Sequence, residues 1–117
     1  MDCIFDKIIA GEIPAKKAYE DDFVFAFHDI HPIAPVHVLI IPKKHIESVN
    51  DMEEADIETM GHLIFAAKKI AAELGIAVGG YKLLIRTGHN GGQEVPHIHM
   101  HLLGGARLRE DIGPINS

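Results

Sequence analysis

Hydrophobic and polar positions alternate along this chain with two distinct periods. Ile4, Phe5, Ile8 and Ile9 recur at helical spacing, with Asp2 before them as a cap, Gly11 as a stop and Pro14 beyond. The pattern predicts a short helix from Cys3 to Ala10. "DDFVFAFHDI" is aromatic and β-branched behind an acidic turn, which predicts a strand over residues 21 to 30. After the two prolines of "HPIAP", "VHVLIIP" predicts a second strand ending at Pro42. Strand alternation places Val36, Val38 and Ile40 on one face and His37, Leu39 and Ile41 on the other.

The longest helix is expected from about Glu53 to Leu74. Ile57, Met60, Ile64, Ala67, Ala71 and Leu74 form its apolar stripe, and Gly75 ends it. "GGYKLLIRT" predicts a third main strand, "GHNGGQEV" a glycine-rich loop, and "HIHMHLL" a fourth strand. Strands in groups around one long helix point to an α+β domain with a largely antiparallel sheet.

The length of 117 residues suits one domain over 1–117, with a motif-bearing core at 2–105 and a polar tail at 106–117. In that tail Ile112 and Ile115 are available to dock on the body or on a partner. A composition of 47% hydrophobic and 24% charged residues is that of an ordinary globular protein. No apolar run approaches the roughly 18 residues needed to span a bilayer. The N-terminal stretch starts with an acid rather than a basic region, and no small-residue cleavage site follows an apolar one, so it does not resemble a signal peptide. Cys3 is the single cysteine, which excludes an intramolecular disulfide and suits a reducing cytoplasm. Eleven Lys and Arg stand against seventeen Asp and Glu, a formal charge of −6. That balance argues against a general nucleic-acid or anionic-membrane surface, but not against one nucleotide held by a few directed donors.

The chemistry concentrates in "PHIHMHLLGG". On a strand, His97, His99 and His101 share one face while Ile98, Met100 and Leu102 share the other. Three uses are open: a polar strand face, a metal site, or nucleophilic catalysis. Three imidazoles in register make the first the least informative. For the second, His-x-His is a common ligand pair, with His37 or His45 available as a third ligand. At about 3.3 Å per residue the outer two histidines stand roughly 13 Å apart, so one ion cannot take all three without a marked bend. For the third, imidazole ordinarily titrates near pH 6.5, so a neutral nucleophile is available at neutral pH once one nitrogen is locked as a donor. His99, in the middle, has support on both sides. The preceding Gly88, Gly91 and Gly92 allow backbone N–H groups to converge on an anion, which adds a phosphate to the picture.

"GGQEVPHIHMHLL", with "IFDKIIAGEIPAK" and "EDDFVFAFHDIHPIAPVHVLIIPKKHI", resembles the histidine triad (HIT) superfamily over roughly residues 2 to 105. It is most similar to the Hint branch, whose members hydrolyse purine nucleoside phosphoramidates. The resemblance implies a HIT-like α+β fold with one long and one short helix, and a homodimer whose two sheets join into one. It implies that His99 attacks the α-phosphorus to give a nucleotidyl-histidine, later hydrolysed to the nucleoside monophosphate. His101 would bind the phosphate and assist departure of the amine, and His97 and His37 would orient and tune His99. Backbone donors around Gly92, Gln93, Glu94 and Val95 would cradle the phosphate, and Asp29 would accept from the ribose hydroxyls. Phe5, Ile8, Phe27, Ile30 and Leu39 would line the base slot. No cofactor is required for this chemistry.

Two positions depart from the pattern. Hint-branch members usually carry Asn eleven residues before the first motif histidine, and the dinucleoside polyphosphate hydrolases of the Fhit branch carry Gln; here the residue is Arg86. Many bacterial relatives also hold a structural zinc with Cys-x-x-Cys and two histidines. The matching residues are Cys3, Asp6, His45 and His97, a weaker donor set that argues against zinc. The alternatives to a phosphoramidase are a dinucleoside polyphosphate hydrolase, a nucleotide-binding regulatory module with incidental hydrolysis, and a metalloprotein.

Overall fold

A computed structural model describes residues 3–115. Eight elements follow in order: α1 (Ile4–Ile9), β1 (Lys17–Glu20), β2 (Val24–His28), β3 (Val36–Pro42), α2 (Ile57–Glu73), β4 (Tyr81–Ile85), α3 (Gly88–Gly91) and β5 (Met100–Gly104). The strands form one antiparallel sheet in the order β1-β2-β3-β5-β4. The α+β antiparallel reading holds, with one strand more than expected. β1, "KAYE", has no run of β-branched residues, and its propensity signal is weak. It is held instead by its pairing with β2, Tyr19 opposite Ala26 and Glu20 opposite Phe25.

Asp2 lies outside the described residues; the residue in the cap position of α1 is Cys3, whose N–H donates to Asp6 Oδ2 at 3.0 Å. The long helix starts later than expected, after a 3-10 turn at Glu54–Asp56, and ends as expected at Gly75, which takes φ +77°. The short helix α3 occupies the first half of the expected glycine loop. β5 begins only at Met100, three residues into the expected strand.

The pleat divides the sheet into two faces. Val24, Ala26, Val38, Ile40, Met100 and Leu102 form one, packed against Leu63, Ala66, Ala67, Ile70 and Ala71 of α2. This corrects the expected stripe. Ala67 and Ala71 do face the core and Met60 packs at its margin, but Ile57 and Ile64 are 65% and 59% exposed. Apolar residues occupy two sides of this helix, so periodicity alone does not choose between them. Ala66, Ala67 and Ala71 make a smooth side that approaches the sheet closely, and the bulkier Ile57, Ile64 and Phe65 are left outward. Ile112 and Ile115 are likewise exposed and do not dock on the body of the domain.

The opposite sheet face carries Phe25, Phe27, Leu39 and Ile41, and α1 covers part of it through Phe5 and Ile8, with Ile13 and Val95 packed at the margin. One row across this face runs Phe27, Leu39, His101, Leu84 on four neighbouring strands. A six-residue helix cannot cover five strands, so a cleft remains where the histidines lie.

Candidate active site

The cleft has a volume of about 680 Å³. Its apolar side is made by Phe5, Ile8, Phe27, Leu39 and Ile30, and its polar side by Asp29, His37, Arg86, His99 and His101. Gly92, Glu94 and Val95 close it, and Ile4, Ile13, Pro14, His28 and Ile33 contribute without having been expected. Ile30 is 84% exposed and forms the rim. Among the residues expected at the site, Gln93 and His97 do not line this cleft.

His97 precedes the ladder of β5, and its ring turns away from the other two. Its Nε2–H donates to the Pro42 carbonyl at 2.8 Å, and its Nδ1 faces Cys3 Sγ at 3.4 Å and Asp6 Oδ1 at 3.4 Å. Its backbone, however, reaches the site. The His97 carbonyl accepts from His99 Nδ1 at 2.9 Å, which fixes the proton of His99 on Nδ1 and leaves Nε2 as a lone pair. That Nε2 has no hydrogen-bond partner among the described residues, and the ring is steadied edge-on against Phe5, with centroids 5.1 Å apart. Orientation of His99 by His97 therefore passes through the main chain.

His37 does not touch His99 by hydrogen bond; it serves His101. The Ile33 N–H donates to His37 Nδ1 at 3.2 Å, and His37 Nε2 lies 2.9 Å from His101 Nδ1. Asp29 Oδ2 stands 3.4 Å from the same Nε2, while its Oδ1 accepts from the His31 N–H at 2.8 Å. Arg86 Nη1 completes the line 2.9 Å from His101 Nε2. Burial lowers the pKa of His37, with Asp29 opposing and Arg86 assisting. Burial, with the neighbouring His99, Arg86 and His37, takes His101 down to about 3. Both rings are neutral at physiological pH.

The glycine segment supplies fewer free donors than expected. The N–H of Gly92 bonds to the His89 carbonyl and that of Gln93 to the Gly88 carbonyl, closing the last turn of α3. The N–H groups of Glu94 and Val95 bond to no protein group among the described residues. Gln93 is instead a brace: its Oε1 accepts from Gly88 N–H, and its Nε2 donates to the carbonyls of Glu47 and Val95. Gly92 takes φ +82°, and a Cβ there would stand 3.5 Å from Arg86 Cδ, so the arginine stem lies across this glycine.

Cys3, Asp6, His45 and His97 gather outside the cleft, with one potential ligand atom from each within 4.8 Å of the others. They also satisfy one another: His45 Nδ1 bonds to Asp6 Oδ2 at 2.7 Å, and Cys3 Sγ faces His97 Nδ1. Burial pushes the Cys3 thiol up. Burial also opposes charge on Asp6, but the Cys3 N–H and His45 outweigh it and hold the carboxyl low. The sequence placed these four residues; the Ile33 N–H escaped notice, because a backbone donor leaves no trace in residue type.

The sequence and the fold that build this cleft have counterparts in known proteins. The chain is 53% identical over 105 residues to a purine nucleoside phosphoramidase of Escherichia coli strain K12, covering 90% of this chain and 88% of that one. A HIT family hydrolase from Legionella pneumophila superposes with a TM-score of 0.92 at 47% identity, covering 96% of this chain and all of that one. A histidine triad protein from Clostridium difficile gives a TM-score of 0.91 at 45% identity, covering 95% and 96%. The HIT domain profile matches residues 10–108, and the chain belongs to the HIT domain family.

Proposed function

We propose that this protein is a nucleotide hydrolase that cleaves the P–N bond of purine nucleoside 5′-phosphoramidates. The observation that carries the reading is His99: its Nδ1–H is tied to the His97 carbonyl and its Nε2 is bare, inside a cleft with an apolar slot on one side and donors on the other. The purine lies in the slot of Phe5, Ile8, Phe27, Ile30 and Leu39, and Asp29 accepts from the ribose hydroxyls. The Nε2 lone pair attacks the α-phosphorus, the P–N bond breaks, and its electron pair leaves with the amine nitrogen, which takes up a proton. His101 binds the phosphoryl group and assists that departure. An anion beside it offsets the burial that keeps its ring neutral. Water then attacks phosphorus and releases Nε2; the proton it sheds replaces the one the amine took up, and the product is the nucleoside monophosphate. The free amides of Glu94 and Val95 contribute donors to the phosphoryl oxygens.

Imidazoles provide nucleophile and donors, so no metal is needed for these steps. The expected result is AMP release from adenosine phosphoramidate at an unchanged rate with and without chelator. Loss of turnover with chelator, or stoichiometric zinc by elemental analysis, transfers the reaction or the fold to a metal. The Cys3, Asp6, His45 and His97 cluster is already internally bonded, which supports folding without an ion. Arg86 supports a second reading, a dinucleoside polyphosphate hydrolase, because its charge suits an additional phosphate. Diadenosine polyphosphate turned over faster than adenosine phosphoramidate decides for it.

A homodimer completes this reading. β4 is an edge strand with an open ladder, and Ile57 and Ile64 expose an apolar side of α2. Pairing the β4 edges of two copies joins their sheets and gives these residues a cover. The wild type is expected to sediment at twice the chain mass, and the Ile57→Glu, Ile64→Glu double variant at the chain mass. A monomeric wild type removes the dimer. Among the described residues no helix is long and apolar enough to cross a membrane; the lone Cys3 supports a cytoplasmic setting.

A further inference from the structure

The line from Ile33 through His37 and His101 to Arg86 contains one proton too many. The Ile33 N–H donates into His37 Nδ1, so a neutral His37 carries its own proton on Nε2. That Nε2–H donates to His101 Nδ1, which places the proton of neutral His101 on its Nε2. Arg86 Nη1, 2.9 Å away, can only donate, because a guanidinium has no acceptor. Two donors therefore face each other. Reversing the tautomers only moves the conflict: with His101 protonated on Nδ1, His37 must carry its proton on Nδ1, against the Ile33 N–H. Asp29 does not resolve it, since its Oδ2 competes with His101 for the same His37 proton. A line of two neutral imidazoles with a donor at each end has no arrangement in which every contact is a hydrogen bond.

An acceptor with no proton of its own, placed between Arg86 and His101 Nε2, satisfies both at once. From this count, we infer that Arg86 and His101 form a two-donor clamp for a single nonbridging phosphoryl oxygen, making Arg86 a substrate-binding residue. The inference rests on the nucleotide reading of the cleft given above. Several features fit the clamp. Arg86 has no other hydrogen-bond or ion-pair partner among the described residues, so its remaining N–H groups and its charge are available to an anion. Its stem rests over Gly92, which fixes the guanidinium at the mouth of the phosphate side. Leu84 lies opposite His101 and Ile85 opposite Met100 at the end of the β4 to β5 ladder. Arg86 follows one step further on, beside His99, where the reacting phosphorus must come. The clamp selects for an oxygen that is anionic and unprotonated; a hydroxyl in the same place would add a further proton to a line that already has too many.

The test compares wild type with Arg86→Met, using AMP and adenosine as probes in calorimetric titration, and thermal melting of the ligand-free proteins. Arg86→Met is expected to bind AMP about 10- to 100-fold more weakly, the range for a lost charge-assisted bond, with adenosine affinity unchanged. The ligand-free variant is expected to melt no lower than wild type, because the contact it loses is not a hydrogen bond. A fall in melting temperature of several degrees together with unchanged AMP affinity overturns the clamp and makes Arg86 a structural support for His101. Unchanged affinity with unchanged melting also overturns it. Wild type that binds neither AMP nor adenosine removes the nucleotide reading and the clamp together, whereas AMP bound equally by both proteins removes the clamp alone.

Discussion

His99→Ala is expected to reduce turnover of adenosine phosphoramidate by more than about 10⁴-fold, the scale on which enzymes lose activity with their nucleophile. The size follows from geometry. Within the proposed mechanism His99 Nε2 is the group aimed at phosphorus: His37 and His101 are bonded to each other, and His97 is tied to Pro42. No neighbour can replace it without breaking one of those contacts. The folded state should survive. The substitution removes the Nδ1–H bond to the His97 carbonyl and an edge contact with Phe5, together about 1 kcal/mol, at the wall of a cleft that already admits solvent. Circular dichroism and melting report the fold. Trapping of a labelled nucleotidyl-protein by alkaline denaturation in wild type, with the label lost on acid treatment as a P–N linkage requires and absent from the variant, reports the chemistry. An alanine variant that turns over within tenfold of wild type sinks the assignment of His99.

A comparably large effect is expected from mild acid. His101 titrates at about 3 in the folded protein and near 6.5 when unfolded. Above 6.5 both states are neutral there and stability is unaffected. As pH falls below 6.5 the unfolded chain takes up a proton that the folded chain refuses, so stability declines until about pH 3. At pH 5 this one buried ring, only 8% exposed, costs about 2 kcal/mol. Burial lowers His37 and His97 as well, so their contributions carry the same sign. Urea midpoints measured at fixed protein concentration should drop by about 1 M or more between pH 7.5 and pH 5, for an ordinary m-value. A flat midpoint across that interval contradicts the neutral, buried histidine line.

These expectations show where sequence is sufficient. The alternation in "HIHMHLL" separates the folding face from the reacting face, and the structure places Met100 and Leu102 in the core under α2, with His99 and His101 in the cleft. Periodicity fails where it is degenerate or where tertiary contacts decide. Ile57 and Ile64 have helical spacing as regular as that of Leu63 and Ile70, and only docking on the sheet separates the two sides. β1 has too little apolar character to announce itself, and it exists because β2 offers it a partner. His97 belongs to the row by spacing, yet its ring leaves the row because the ladder of β5 starts at Met100 and the Pro42 carbonyl claims its Nε2–H. Arg86 was visible as a departure from the family pattern. That it faces His101 depends on a β4 to β5 register no local pattern specifies.

The strand order has a consequence for how such a protein changes over time. β5 is bracketed by β3 and β4, so the segment that ends in His101 is anchored on both flanks. Arg86 instead hangs from the end of β4, at the margin of the sheet, with its stem laid over Gly92. A replacement at 86 perturbs few neighbours, whereas one at 101 disturbs a bonded line that crosses from β5 into β3. Under the proposed mechanism, mutation can therefore retune which anions are accepted at the periphery, while the attacking imidazole inherits its position from the interior.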